Sequence, residues 1–232
     1  MTSRAVAVMG KIPVPGRVKT RLAAALGDEA AARLYRAFLE DVFDVVEAAR
    51  AEARPAGLDF APFFSCALDG AADHAASVAL APPGFEIVAQ GAGDLGERIE
   101  ATRAATRADH AVIIGSDAPT MSPSRIVEAL ERLAATPAID AVLGPTEDGG
   151  YDLIGLRGPE PGLLAGIPWS TPRVLAATRT AAARGGLRLA ELAVGYDVDQ
   201  PVDLARVFED AGRPGSLARR TRTVLGALGL FP

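Results

Sequence analysis

Short, wholly apolar runs alternate along this chain with longer stretches whose apolar residues recur at helical spacing. Ala5-Val6-Ala7-Val8-Met9 is the first run, too short for a buried helix and readable as a fully buried strand of a parallel sheet. Asp28 predicts the N-cap of a helix running to about Arg50, with Leu34, Phe38, Val42 and Val45 on one face. Phe60 to Leu68 reads as a second strand and Ala71 to Leu80 as a short helix. Pro82-Pro83-Gly84 breaks the chain before a third strand, Phe85 to Gln90. Asp94 followed by Glu97 is a capping-box pattern that starts a helix to about Arg107. Ala111 to Gly115 is a fourth strand, and Ser122-Pro123 opens a helix to about Ala135 as an N-cap followed by proline. Asp140 to Gly144 and Tyr151 to Leu156 are the next two strands. Thr171-Pro172 opens a helix to about Arg184, and Leu187 to Val194 is the last strand. Helices over about Val202 to Ala211 and Leu217 to Leu228 finish the pattern.

Strands alternating with helices predict an α/β fold with a mostly parallel sheet covered on both faces. The section from Gly144 to Val194 breaks the alternation with a strand pair and longer loops. No linker, internal repeat or low-complexity segment divides residues 1–232, so a single domain is expected. Hydrophobic residues make up 49% of the chain and charged residues 23%, which suffices for a core. The net charge of −5 argues against a general nucleic-acid binder, which needs a basic face. The sole cysteine, Cys66, lies in an apolar run and reads as a buried small hydrophobe. His74 and His110 are far apart, which excludes a histidine-rich zinc site. The first apolar run is too short for a signal peptide and no stretch approaches a membrane span, so a cytoplasmic location is expected.

The charge pattern changes this picture at one place. Gly10-Lys11-Ile12-Pro13-Val14-Pro15-Gly16-Arg17-Val18-Lys19-Thr20-Arg21, directly after the first strand, carries four cations and no acid in an acidic protein. Ligands of open α/β sheets bind outside the carboxyl ends of the strands, so this loop predicts an anionic ligand, above all phosphate. A solvated turn is the plainer alternative. The loop is not a Walker A motif: the glycines are one residue too far apart, and Lys19-Thr20 comes two residues late.

Asp117, in Gly115-Ser116-Asp117-Ala118-Pro119, follows another fully apolar strand. A carboxylate there needs solvation or a cation, and with the cationic loop nearby, Mg²⁺ or Mn²⁺ bridging it to a diphosphate is the economical inference. A turn cap before Pro119 is the structural alternative. Asp197 and Asp199 alternate in an extended segment and are placed to face one ion, although Asp199 or Gln200 could instead cap the helix at Pro201. Glu147-Asp148-Gly149-Gly150-Tyr151 reads either as a hairpin turn or as a mobile loop that brings Asp148 and Tyr151 to an acceptor. Trp169, beside Ser170 and Thr171, is core or a platform for a sugar or base. Gly91-Ala92-Gly93-Asp94-Leu95-Gly96 matches a dinucleotide fingerprint, but Asp94 would repel a pyrophosphate. A capped turn therefore accounts for it better than an NAD-dependent oxidoreductase does.

Lys11-x-Pro13-x-Pro15-Gly16-x-Val18-Lys19-Thr20-Arg21-Leu22, Gly115-Ser116-Asp117-x-Pro119, Gly144-Pro145-x-x-Asp148-Gly149-Gly150-Tyr151 and Pro168-Trp169-Ser170-Thr171 together resemble a bacterial glycosyltransferase family long catalogued as a domain of unknown function. Some of its members are associated with arsenosugar biosynthesis or with radical-SAM and selenium-related genes. The resemblance spans about residues 5 to 204 and implies a GT-A-like nucleotide-diphospho-sugar transferase fold, a Rossmann-like three-layer α/β/α architecture. Residues 1–143 would be the nucleotide-binding part, 144–195 the acceptor side and 196–232 C-terminal helices. Ala118 departs from the cysteine found in many relatives. Lys19-Thr20-Arg21-Leu22 and Asp197-Val198-Asp199-x-Pro201-x-Asp203-Leu204 also resemble guanylyltransferases of cofactor biosynthesis, which share the fold.

The resemblance implies a metal-dependent glycosyltransferase that uses a nucleotide-diphospho-sugar and a small acceptor. Lys11, Pro15, Gly16, Lys19, Arg21 and Ser116 would bind the nucleotide. Asp117 and Asp199 would hold Mg²⁺ or Mn²⁺, and Asp117 and Asp148 would serve catalysis. Gly149, Gly150, Tyr151, Trp169, Ser170 and Thr171 would meet the acceptor. A nucleotidyltransferase releasing pyrophosphate, and a non-catalytic nucleotide-binding protein, are the other readings.

Overall fold

The computed structural model describes residues 2–68, 70–160 and 162–231. Its elements are β1 (Arg4–Lys11), α1 (Thr20–Leu26), α2 (Asp28–Ala53), β2 (Ala61–Ala67), α3 (Ala71–Leu80), β3 (Glu86–Ala89), α4 (Leu95–Thr106), β4 (His110–Gly115) and α5 (Pro123–Ala134), followed by β5 (Ala141–Pro145), β6 (Tyr151–Arg157), α6 (Val174–Arg184), β7 (Leu189–Glu191), α7 (Asp203–Ala211) and α8 (Arg219–Ala227).

One sheet holds the strands in the order β3-β2-β1-β4-β6-β5-β7. Every pairing is parallel except those of β6, which runs antiparallel to both β4 and β5. The strand pair expected after Gly144 is therefore the β5–β6 hairpin, and the sheet is mostly parallel as the alternation required. β1 is buried on both faces because alternate residues serve different layers. Val6 and Val8 pack under α2 and α5, while Ala5 and Ala7 pack under α4 and α6. A third cluster, built on Leu22, Phe38, Leu204 and Leu225, places α1, α7 and α8 outside α2. Sandwiched in this way, α2 buries residues on more than the one face that its spacing predicts, including Leu34, Phe38, Val42 and Val45.

Several boundaries differ from the sequence reading. α1 interrupts the stretch read as loop up to Leu22, and its single buried residue, Leu22, gave no periodic signal. Gly27 is the cap of α2, and Asp28 is its first helical residue, where its charge suits the helix dipole. Ser122 stands at the N-cap of α5, but its hydroxyl pairs with Ser124 Oγ rather than capping an amide. α6 begins at Val174, because Thr171 Oγ1 is occupied in a preceding turn with Pro168 O and the Arg173 amide. The last strand is only Leu189–Glu191, an edge strand paired with β5 alone. The capping box of Asp94 and Glu97 is present in full, and it fills the glycine pattern at Gly91–Gly96 with a capped turn.

Candidate functional site

Successive strands run outward from β1 through β2 to β3, and the chain then returns to place β4 on the other side of β1. The topological switch point lies between β1 and β4, where such sheets bind ligands at their carboxyl ends. Lys11 ends β1 there, and Ser116 and Asp117 follow β4. A cleft of about 860 Å³ opens at this edge.

Lys19 sits at its centre. Its Nζ donates to Asp117 Oδ1 (2.8 Å), Asp199 Oδ1 (2.6 Å) and Val198 O (2.8 Å), so all three ammonium hydrogens are engaged. The Lys19 side chain is 6% exposed, whereas Asp117 and Asp199 keep 39% and 41% of theirs open to the cleft. Burial alone would lower the lysine pKa, but the two carboxylates outweigh it and hold the pKa above the ordinary lysine value. The Lys19 backbone adopts φ 45°, ψ 46°, a left-handed conformation costing about 1–2 kcal/mol for a residue with a Cβ. Among the described residues only Arg107 and Ser170 share a positive φ without being glycine, and Ser170 also lines the cleft. The ion pairing with Asp117 and Asp199 offsets that backbone cost.

The other predicted nucleotide contacts are spread more widely. Lys11 lines the cleft and donates its backbone N–H to Tyr35 Oη at 2.9 Å. Ser116 Oγ is hydrogen-bonded to the same phenol oxygen at 2.9 Å. Arg21 is 66% exposed and stands 3.8 Å from Asp199 Oδ2. Pro15 and Gly16 form the exposed outer turn of the loop and are not part of the cleft lining. Asp199 is not a helix cap: the Asp203 carboxylate accepts from the Asp199 and Gln200 amides instead. Asp197 lies beside Asp148, Asp199 and Asp117. Burial first, and then those three charges, push its pKa up to about 6.

On the acceptor side, Asp148 Oδ1 accepts from Thr146 Oγ1 (2.6 Å) and the Gly150 amide (2.9 Å), which tightens the β5–β6 turn. Gly149, at φ +86°, packs against the Pro172 backbone so closely that a Cβ would strike its carbonyl. It supports the cleft without lining it. Gly150, Tyr151, Trp169, Ser170 and Thr171 do line it. Tyr151 and Trp169 meet edge to face with centroids 6.3 Å apart, and the Trp169 Nε1 is buried without a partner. Gly96 leaves the room that the indole needs, because a Cβ there would meet Trp169 Cζ2 at 3.0 Å.

Sequence reasoning missed the groups that hold these parts in place. Tyr35 joins the ends of β1 and β4, and it reaches them because Gly10 lacks a Cβ that would press on its hydroxyl. Burial, reinforced by the Asp117 charge, pushes the phenol up to about 12. Gln90 Nε2 donates to Gly10 O and Ser65 O, each at 2.9 Å, and so ties β3 to β1 and β2. Asp152 pairs with Arg125 at 2.9 Å, and Arg125 also donates to Pro145 O and Ala193 O. Burial pushes Asp152 up to about 6 against the pull of that guanidinium. The legible signals were a phenol within the apolar stripe of α2 and an acid inside the apolar run of β6.

Among the described residues no three carboxylates, histidines or cysteines converge as a ready-made metal cage. The donors at hand are nevertheless hard oxygens: Asp117 and Asp199 share one cation and are both partly open, with Asp148 and Asp197 beside them. One or two carboxylates completed by substrate phosphates and water are the usual setting for Mg²⁺, and oxygen donors also suit Mn²⁺. The residues therefore fit a divalent ion.

The profile of a family described as an uncharacterized protein conserved in bacteria (DUF2064) matches residues 63–171. The crystal structure of a "putative nucleotide-diphospho-sugar transferase" from Desulfovibrio desulfuricans G20 is 30% identical to this chain. It aligns over 98% of this chain and 97% of the other with a TM-score of 0.84. Lower identities accompany CMP:2-keto-3-deoxy-manno-octonic acid synthetase complexed with CTP (11%, covering 89% of this chain and 97% of that one, TM-score 0.57) and glucosyl-3-phosphoglycerate synthase from Mycobacterium tuberculosis (15%, 100% and 81%, TM-score 0.53). These two share the fold. No curated protein matches the chain. Fold and topology thus define a member of the GT-A superfamily of nucleotide-diphospho-sugar transferases. Within it, the chain belongs with the Desulfovibrio protein, and its residues 63–171 match the bacterial DUF2064 model.

Proposed function

We propose that the protein is a metal-dependent glycosyltransferase that moves a sugar from a nucleotide-diphospho-sugar to a small acceptor. The observation that carries this reading is Lys19 held between Asp117 and Asp199 at the switch point, with the cationic β1–α1 loop alongside. It is supported by the kinship with the Desulfovibrio protein, and by the Mn²⁺ and uridine diphosphate bound in glucosyl-3-phosphoglycerate synthase. In this reading the donor diphosphate lies along the loop, where Lys11 and Arg21 neutralise it and Pro15 and Gly16 shape the turn. Lys19 and Ser116, both engaged with protein groups, hold the site's geometry. Mg²⁺ or Mn²⁺ bound by Asp117 and Asp199 would stabilise charge on the leaving diphosphate. Asp148 takes the acceptor hydroxyl proton as the new glycosidic bond forms and the sugar–diphosphate bond breaks. Trp169 and Tyr151 offer apolar surface to the acceptor, and Gly150, Ser170 and Thr171 offer polar groups.

Nucleotidyl transfer is the second reading, favoured by the gathering of Lys11, Arg17 and Arg21 on one loop at the cleft, which suits a triphosphate. The two differ in the bond broken. The enzyme, Mn²⁺ and a panel of nucleotide-sugars and nucleoside triphosphates are incubated with small-molecule extract, and both released products are assayed. Nucleoside diphosphate released from one nucleotide-sugar is the expected result. Pyrophosphate from a triphosphate, with every nucleotide-sugar intact, overturns the proposal.

A further inference from the structure

β1 and β4 begin, and the antiparallel β6 ends, at the edge of the sheet opposite the cleft. Their register sets Arg4 beside His110 and His110 beside Arg157. In-register residues project to the same side, so three adjacent strands present three nitrogen-bearing side chains together. A second cavity of about 820 Å³ opens here, and Arg103 and Asp109 also line it.

These groups lack the partners that such charges ordinarily have. Arg4 Nη1 donates to Gly57 O (3.2 Å) and Arg157 Nη2 to Leu133 O (2.9 Å), carbonyls at or just beyond helical ends. Neither guanidinium forms an ion pair among the described residues. The Nε of each, and His110 Nδ1, are buried with no hydrogen-bond partner, and His110 is only 5% exposed. The one carboxylate in the lining, Asp109, accepts from the Ser3 amide and hydroxyl. Arg103, from α4, pairs with Glu100. Burial, followed by the charges of Arg157 and Arg4, lowers the His110 pKa despite Asp109. Arginines that bond carbonyls at helix ends are common, but that role does not explain an imidazole set between two unpaired guanidiniums. Cations packed side by side repel, and an anion between them removes that cost.

We propose that this cavity is a second, anion-binding site that takes a phosphate group through Arg4, Arg157 and His110. Guanidinium pairs match the oxygens of a phosphate, and a protonated imidazole adds a further donor. The group could arrive as free phosphate or as a phosphomonoester, so both probes are used.

His74 and His110 are the only histidines, which lets nitrogen-detected imidazole NMR follow each one in the full-length protein. Inorganic phosphate and glycerol phosphate are titrated separately, with sodium chloride at matched ionic strength as the control. Either phosphate probe is expected to shift the His110 resonances and raise the His110 pKa by about 1, leaving His74 unchanged. The tighter-binding probe then identifies the source. Arg157→Gln and Arg4→Gln are each expected to reduce the response at least tenfold in apparent affinity. His110 resonances that ignore both phosphate probes, or that respond equally to chloride, overturn the proposal. The wild-type titration decides even if a variant fails to fold.

Discussion

At the carboxyl ends of β1 and β4, one buried lysine lies between two carboxylates, with two more acids beside them. At the amino ends of the same strands, two arginines flank a buried histidine with no carboxylate paired to either. The two ends thus differ in charge balance on the same pair of strands. In the cleft, Lys11, Arg17, Lys19, Arg21 and Arg98 face Asp117, Asp148, Asp152, Asp197 and Asp199, and Asp117 and Asp199 stay partly open to any cation a ligand brings. In the opposite cavity the excess is positive and its donors are partly orphaned. What separates a scaffold from a site at either end is whether the charge is balanced within the protein. Lys19 balances Asp117 and Asp199 through direct ion pairs, whereas Arg4 and Arg157 form none among the described residues, and Asp140 acts on Arg157 only through its charge.

The largest expected effect comes from breaking the cleft. Asp117→Asn keeps the side-chain shape but removes the charge, and is expected to lower turnover about 10²–10³-fold in a product-release assay while folding normally. Were Asp117 only a turn cap, Asn would serve equally and turnover would hold.

Next in size is Lys19→Met, which leaves Asp117 and Asp199 facing each other without their shared cation. Urea unfolding is expected to show a loss of about 1–3 kcal/mol, moderated because both carboxylates reach solvent. Adding Mg²⁺ or Mn²⁺ is expected to restore more stability to this variant than to the wild type. An equal response in both proteins would separate Lys19 from the metal-binding pair.

Glycines compare the backbones of the two ends. Gly149→Ala near the cleft combines φ +86° with a collision against Pro172, and should cost about 1–3 kcal/mol or more. Gly158→Ala, lining the opposite cavity at φ +74° with open space around it, should cost only about 1 kcal/mol. Unfolding midpoints of the two variants test the ranking.

The smallest effect is one of pH. Because the folded-state pKa of His110 lies below its ordinary value, the unfolded chain takes up the proton first as pH falls. The stability tied to a neutral His110 is therefore complete above about pH 6.5 and declines below it. Unfolding free energies measured across that range should fall more steeply with acidification for wild type than for His110→Gln. Saturating phosphate should flatten the difference if the cavity binds it.

Much of the fold could be read from the chain because its cause is local. A run such as Ala5–Met9 has no polar group to offer solvent, so it must be a buried strand. A capping box at Asp94–Glu97 satisfies its own amides without help from distant residues. The positions of Asp117, after β4, and of the cationic loop, after β1, were legible for the same reason. The short helix α1 escaped because a single buried leucine has no period. Pairing was decided only in three dimensions. Lys19 meets Asp199 across 180 residues, Tyr35 reaches Ser116 through space left by Gly10, and Arg125 finds Asp152 from another element. The sequence by itself determined which segments are strands and helices and which strand ends carry charge. Tertiary structure alone decided which charges neutralise one another, because that depends on strand order and register, and neighbours along a chain do not reveal either one.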